Sequence, residues 1–327
     1  RQCSDCFCSS GLRNAKFVFE NKQLTQEEYK KRMEKVQFTN ESIREWEEKR
    51  DTLSLTVPKK YIHGVSNENV IGDYIDHSKN LRNCFDCIAI EDCAYCDFLS
   101  VQSKDIYDTS YGGLSLELCC EASGIMVCSH CKFIFYGRNL SDCEYSKYCD
   151  SSENLFGCIG LRHKKYCILN RQYSKEEYEK LVPKIIEKMV KDKEYGEYFA
   201  IKDGIFAYNE TVAHEYYPLK KEEALAKGYR WKEEENQNET SQDALSCKEC
   251  GRNFRIISQA MKLLEQWNFP LPQSCPQCRH KKRFNQRNPR QLWKRNCSQC
   301  KAEITTSYAP DRPEKVYCEA CYLKEIY

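Results

Sequence analysis

Between Val65 and Asn170 no stretch of the chain keeps a helical 3.6-residue period. Short runs with aromatic or β-branched residues alternate with Asn, Asp and Ser, the pattern of brief strands separated by polar turns. Asn-Leu-x-x-Cys occurs at Asn80–Cys84, Asn139–Cys143 and Asn154–Cys158, with a degenerate relative at Asn69–Asp73. Cysteines recur nine residues apart, as in Cys84/Cys93, Cys87/Cys96 and Cys149/Cys158/Cys167. Such spacing predicts a Cys-rich β-solenoid-like repeat over 61–173, each rung burying one face on its neighbours. Small apolar cysteines suit its narrow interior.

The flanks follow a different pattern. Phe7–Tyr29 aligns without gaps on Phe156–Tyr178 at an offset of 149, with 10 identities in 23 positions. Both copies run into a capping box, Thr25-x-x-Glu28 and Ser174-x-x-Glu177, followed by charged helical sequence. Helices are predicted over 25–37 and 175–194, with Pro183 expected to kink or break the second. A further helix over 41–51 has Asn40 as its expected cap, and a short one stops at Gly228. The chain thus divides into a terminal rung of an upstream Cys-rich repeat (1–24), a helical connector (25–60), the repeat domain (61–173) and a helix with an aromatic-rich segment (174–231). A polar linker (232–246) and two small C-terminal modules (247–296 and 297–327) follow. The fold class is mixed and β-rich, with flanking helices. Because 1–24 looks like the end of an earlier repeat, the chain is expected to be a piece of something longer.

The C-terminal modules carry the most specific signal. Cys247-x-x-Cys250 precedes Cys275-x-x-Cys278, and Cys297-x-x-Cys300 precedes Cys318-x-x-Cys321. Each pair sets two thiolates on one tight turn, and two such knuckles complete a tetrahedron around a structural zinc. Two zinc ions are therefore expected, with no coordination position left for hydrolysis. In the first module Ile257, Met261, Leu264 and Trp267 predict a helix packed over the ribbon. The pairs Cys84/Cys87, Cys93/Cys96 and Cys128/Cys131 could hold additional metal, serve redox chemistry, or simply pack a repeat core. The recurrence through single cysteines such as Cys149 favours packing.

Composition adjusts this picture in two ways. All 23 cysteines cannot pair, since eight lie in the zinc arrangement and fifteen remain. With no apolar run of membrane length and no signal-peptide pattern, a reduced, cytoplasmic protein is expected. Five Asn-x-Ser/Thr sequons, at Asn40, Asn139, Asn209, Asn238 and Asn296, point weakly toward export. Charge is divided: residues from Cys247 onward carry 16 Lys+Arg against 7 Asp+Glu, or +9, so a net charge of +2 leaves about −7 on the rest.

Much of the positive charge lies between the zinc pairs. Residues 279–295 hold Arg279, Lys281, Lys282, Arg283, Arg287, Arg290, Lys294 and Arg295, with Phe284 and Trp293 among them and no acid. Cations and aromatics in one segment suit phosphate pairing plus base stacking. A solvated linker that pairs with the acidic body is the plainer alternative, and an acidic protein partner a third.

CKECGRNFRIISQAMKLLEQWNFPLPQSCPQCRHKKR resembles the small "probable zinc-ribbon" family, and CSQC followed by YAPDRPEKVYCEACY is similar to ribbons ending V-Y-C-x-x-C-[FY]. FGCIGLRHKKYCILNRQYSKEEYEKLV and AYNETVAHEYYPLKKEEALAKGYRW resemble large cysteine-rich multi-ribbon proteins predicted from environmental bacterial genomes. The resemblance implies architecture and metal, not a reaction; zinc ribbons in general imply nucleic-acid or protein binding. Two functions follow as expectations. One is a non-enzymatic zinc protein contacting nucleic acid or a ribonucleoprotein. The other is an assembly scaffold using the repeat as a protein-binding surface. An enzyme is disfavoured because His63, His77, His130, His163, His214 and His280 are scattered, with no recognisable catalytic motif.

Overall fold

The computed structural model describes residues 2–201, 204–233 and 244–326. The protein is mixed and strand-rich, with eight α-helices among the described residues. An N-terminal part contains β1 (Ser4–Phe7), β2 (Lys16–Phe19), β3 (Lys22–Gln23), α1 (Gln26–Met33), α2 (Asn40–Thr56) and β4 (Lys59–Lys60). The central body contains β5 (Glu68–Asp76), β6 (Lys79–Ala94), β7 (Asp97–Ser129), β8 (Lys132–Phe156), β9 (Lys165–Ile168) and β10 (Arg171–Gln172). Next come α3 (Lys175–Lys191), α4 (Val212–Tyr216) and α5 (Lys221–Ala226). The C-terminal part holds β11 (Leu245–Ser246), β12 (Asn253–Phe254), α6 (Ser258–Gln266), α7 (Pro276–Phe284), β13 (Trp293–Asn296), β14 (Glu303–Thr306), β15 (Val316–Tyr317) and α8 (Glu319–Ile326).

A period of three organises the central body. Leu81, Cys84, Cys87, Ile90, Cys93, Cys96 and Leu99 point inward at every third residue and are almost wholly buried. The residue before each of them has positive φ: Asn80, Asn83, Asp86, Ala89, Asp92, Tyr95 and Phe98. Asn and Asp tolerate that left-handed conformation best among L-residues, which accounts for the polar punctuation in the sequence. β5 through β9 pair in parallel, in sequence order. Gly72 lies opposite Cys84, Ala122 opposite Ile134 and Leu155 opposite Cys167, each twelve residues on. One residue is inserted between Ile88↔Ser100 and Ile90↔Ser103, where the register moves from twelve to thirteen.

The same geometry explains the nine-residue recurrence of cysteines. The Cys149 thiol lies 3.3 Å from Lys147 O and 3.8 Å from Cys158 O; that of Cys158 lies 3.5 Å from Phe156 O and 3.3 Å from Cys167 O. Cys84, Cys87, Cys119, Cys128 and Cys143 repeat these contacts to residues i−2 and i+9. A short side chain with a weak donor fills the interior and meets carbonyls there.

The duplication is reproduced residue for residue. Cys6↔Val18 and Phe7↔Phe19 correspond to Leu155↔Cys167 and Phe156↔Ile168, at the same offset of 149. Ser10 N–H donates to Asn21 Oδ1 as Ile159 N–H does to Asn170 Oδ1, both at 2.8 Å. Both capping boxes form, with Glu28 on Thr25 N–H at 2.9 Å and Glu177 on Ser174 N–H at 3.0 Å.

Three expectations need correcting. The cap of α2 is Thr39, not Asn40, because Ser42 Oγ accepts from Thr39 N and Thr39 Oγ1 from Ser42 N. Of the kink or break expected at Pro183, the break does not occur: α3 runs through it, with the Glu179 carbonyl left without its helical donor. α6 is bounded by Ile257 and Trp267, which are exposed together with Met261; of the four expected apolar positions only Leu264 is half-buried. Phe269, just beyond α6, meets Phe38 of the N-terminal part edge-on, ring centroids 4.9 Å apart. The predicted linker lies largely outside the described residues.

Leu155 is fully buried, whereas Leu169 is 75% exposed. Leu155→Ala should cost about 2–5 kcal/mol in denaturant unfolding, and Leu169→Ala less than about 0.5 kcal/mol.

Candidate metal centres and the basic segment between them

Each four-cysteine group combines a hairpin knuckle with a helix start. In the first, β11 and β12 flank Cys247–Gly251, where Gly251 N–H donates to Cys247 O at 2.9 Å with φ +72°. In the second, β13 and β14 flank Cys297–Lys301, where Lys301 N–H donates to Cys297 O at 3.0 Å with φ +65°. The partner cysteines lie where α7 and α8 begin: Cys275 caps α7, and Cys318 directly precedes α8. Their N–H groups donate to the first sulfurs, Cys275 N to Cys247 Sγ at 3.2 Å and Cys318 N to Cys297 Sγ at 3.3 Å.

Within each group, Cys247/Cys250/Cys275/Cys278 and Cys297/Cys300/Cys318/Cys321, the four sulfurs lie within 4.8 Å of one another. Cys250 Sγ is 3.8 Å from Cys275 Sγ, and Cys300 Sγ 3.7 Å from Cys318 Sγ. An ion bonded at about 2.3 Å to a thiolate tetrahedron requires sulfurs roughly 3.8 Å apart, so both groups fit a metal ion. Burial opposes ionisation of Cys247 and Cys297, but converging backbone N–H groups outweigh it and lower both thiols to about 6. Burial and adjacent sulfurs raise Cys278 and Cys321 to about 12. Four thiolates cannot coexist at this spacing without a cation, so binding one must release protons.

Among the described residues these are the groups of three or more metal-ligating side chains drawn so close together. Cys84, Cys87, Cys93, Cys96, Cys128 and Cys131 lie in the central core, each at most 3% exposed. His130 stands on the exposed side between inward Cys128 and Cys131.

The basic segment divides into two parts. Arg279, Lys281, Lys282 and Arg283 are exposed on α7, directly beyond the Cys275–Cys278 knuckle. Lys282 pairs with Glu47, while Phe284 turns its edge to Tyr216 at 5.0 Å. Beyond α7, Arg287, Arg290 and Arg295 turn inward, while Lys294 stays exposed. Arg287 pairs with Asp86 and stacks over Tyr74 at 4.1 Å. Arg290, only 9% exposed, binds Asp86 and Asp97 and lies 3.6 Å over Tyr216. Arg295 donates to Ala309 O and Glu314 O, Lys294 pairs with Glu303, and Trp293 sits half-buried in β13 opposite Thr306. The linker alternative therefore holds for Arg287 and Arg290, which pair with the acidic body.

A second polar cluster had no local signal. Asp73, with no exposure, accepts from His63 N at 2.6 Å and Tyr74 N at 2.9 Å, and pairs with His63 Nδ1 at 3.0 Å and with the Ser307 hydroxyl. Its members lie ten and 234 residues apart.

Removing the buried Arg290 side chain strands Asp97 and leaves Asp86 with Arg287 alone. Arg290→Ala should cost about 3–5 kcal/mol, against less than about 1 kcal/mol for Lys294→Ala, read from denaturant midpoints. Metal content measured by native mass spectrometry should fall by about one ion per chain in Cys275→Ser. Retention should weaken as pH falls toward 6, since protons compete for the thiolates.

No family model matches the chain, and no curated protein or solved structure matches it.

Proposed function

We propose that this is a non-enzymatic zinc protein that contacts nucleic acid or a ribonucleoprotein through α7. Zinc is the ion that best suits two closed all-cysteine tetrahedra, being redox-inert and satisfied by four thiolates. Such sites stabilise small ribbons that have little core of their own. The resemblance to zinc ribbons belongs to the same reading.

The observation that carries the proposal is the exposed row Arg279, Lys281, Lys282 and Arg283 on a helix whose first turn is tied to Cys275 and Cys278. Metal binding would orient that helix and hold four cations at a fixed spacing from the body. The twelve-residue parallel register and inward period of three in the central body support a solenoid-like spacer behind it.

An assembly scaffold is the alternative. It draws on exposed apolar residues on and at the ends of α6, with Met261 39%, Ile257 63% and Trp267 55% exposed. Large exposed apolar groups near one another are common at protein interfaces.

If four α7 cations meet phosphates, log K for duplex DNA should fall with log salt at a slope of about −3.6. Lys281→Ala with Arg283→Ala should reduce the slope by roughly 1.8. A salt-independent affinity, or partner capture unchanged by nuclease, would favour the scaffold.

A further inference from the structure

The outward side of the central body carries a row of rings that stops one position short. Successive coils pair in parallel, with Ser123 opposite Phe135 and Lys147 opposite Ile159. Gly124, Tyr136, Tyr148 and Gly160 therefore fall one above another, twelve residues apart each time. The Tyr136 ring lies against Gly124, where a Cβ would stand 3.3 Å from its Cγ and Cδ1. Tyr148 stacks on Tyr136 in turn, ring centroids 5.8 Å apart and planes within 18°. The next position is Gly160, which brings no ring.

That last place is open. No described atom outside its chain neighbours comes within 4 Å of where a Gly160 Cβ would be. The duplicated corner shows that the turn itself does not require this. Gly11, the counterpart of Gly160, has φ +75° against +69°, yet its Cβ position is taken by Val57 Cγ1, 2.3 Å away. Tyr148 keeps 48% exposure. Phe135 stands across both tyrosines at 80° and 84°, with centroids 4.9 and 5.7 Å away, and fixes their tilt. A flat group entering beside Gly160 meets a ring already oriented, so little side-chain freedom is lost on binding.

Two cations border the opening. Arg162 is exposed and lies opposite Asp150. Arg138 engages that carboxylate with two hydrogen bonds, at 3.2 and 2.7 Å. Arg162 acts on it only from a distance and makes no ion pair within 4 Å among the described residues. Lys147, next to Tyr148, holds its ammonium 3.9 Å over the Phe199 ring and has no carboxylate partner among the described residues.

We infer that the free face of Tyr148 stacks a base of single-stranded nucleic acid, the phosphates on either side of that base passing Arg162 and Lys147. A duplex keeps its bases stacked on one another and presents no free base face, so the strand must be single. Stacking one base multiplies affinity by roughly 5- to 150-fold. That is too little to hold a free nucleotide, and the neighbouring phosphates of a strand supply the remainder. This site stands apart from α7: no residue of that helix belongs to the row, and the ligand differs in having unpaired bases.

The test is fluorescence anisotropy of a short labelled oligodeoxyadenylate titrated with the zinc-loaded full chain, against an abasic strand of the same length. Tyr148→Leu should weaken binding of the intact strand by about fivefold or more, and Tyr148→Trp should preserve it. Gly160→Tyr supplies the missing ring from the protein itself and should weaken binding to the same extent. The backbone there suits it, since Tyr136 and Tyr148 both adopt φ +55° and +55° in the same row. Arg162→Gln should reduce the salt slope by about 0.7. The loss caused by Tyr148→Leu should persist when Lys281→Ala and Arg283→Ala are also present, which separates this site from α7. If Tyr148→Leu does not fold, Gly160→Tyr carries the test, and Arg162→Gln if neither does. Undiminished affinity in a folded Tyr148→Leu or Gly160→Tyr variant, an unchanged salt slope in Arg162→Gln, or an abasic strand bound as tightly as the intact one would overturn the inference. So would an equal loss in Tyr95→Leu, which removes an exposed tyrosine elsewhere on the body. Saturable binding of cellohexaose or a tryptophan-bearing peptide, with none of the strand, would assign the shelf to another occupant and overturn it as well.

Discussion

The three-residue period of the central body requires one inward side chain per triplet, with a backbone turn before it. Everything that touches the body inherits this constraint. The left-handed residue disfavours a bulky L-side chain, and the interior admits only what fits between closely spaced neighbours. Both demands are met at Asn83–Cys84, Asp86–Cys87 and Asp92–Cys93, and the parallel pairing carries on past the one-residue register shift at Asn83. Between Ser100 and Ser103 one extra residue faces Ile88–Ile90, and the parallel pairing resumes with the register shifted by one.

The regular body offers outward positions at fixed spacing, and the metal ribbons use them. Asp86 and Asp97 lie eleven residues apart on neighbouring strands, Phe85 being opposite Asp97, close enough in space for Arg290 to bind both. Phe98 and Tyr216 enclose the guanidinium, so the charge is paired and covered by aromatic faces. Asp73 performs a similar role at the start of the body, where Ser307 and His63 meet on one carboxylate. Both junctions involve buried charge, which costs much to break and confers geometry more than net stability.

The metal groups follow a different logic. Each has a very small core: Cys297, Ile304, Tyr308 and Val316 in one, Cys247, Phe254 and Cys275 in the other. Such clusters are too small to hold a fold unaided, and thiolate–metal bonds would supply what hydrophobic burial cannot. The second ribbon also leans on the N-terminal part, through Val316 opposite Lys59 and the Thr306 hydroxyl on Tyr61 O. Among the described residues no helix is long and apolar enough to cross a membrane.

The features written locally in the sequence were those whose physics is local. Four Cys-x-x-Cys knuckles, two capping boxes, the duplication of Phe7–Tyr29 and the nine-residue cysteine recurrence each depend on residues a few turns apart, and each has its counterpart in the structure. The shift of the α2 cap from Asn40 to Thr39 is a one-residue competition between adjacent hydroxyl and amide side chains, at the limit of what spacing can resolve. Only tertiary structure could decide which cations of residues 279–295 stay exposed. Arg283 and Arg290 have the same chemistry, but Arg290 meets carboxylates 193 and 204 positions away. It likewise left Ile257 and Trp267 exposed despite their apolar spacing, since a helical stripe is buried only if some surface arrives to cover it. The gathering of His63, Asp73, Ser307 and Tyr308 had no sequence signature at all, because long-range pairing of β4 with β15, not any local pattern, brings those residues together.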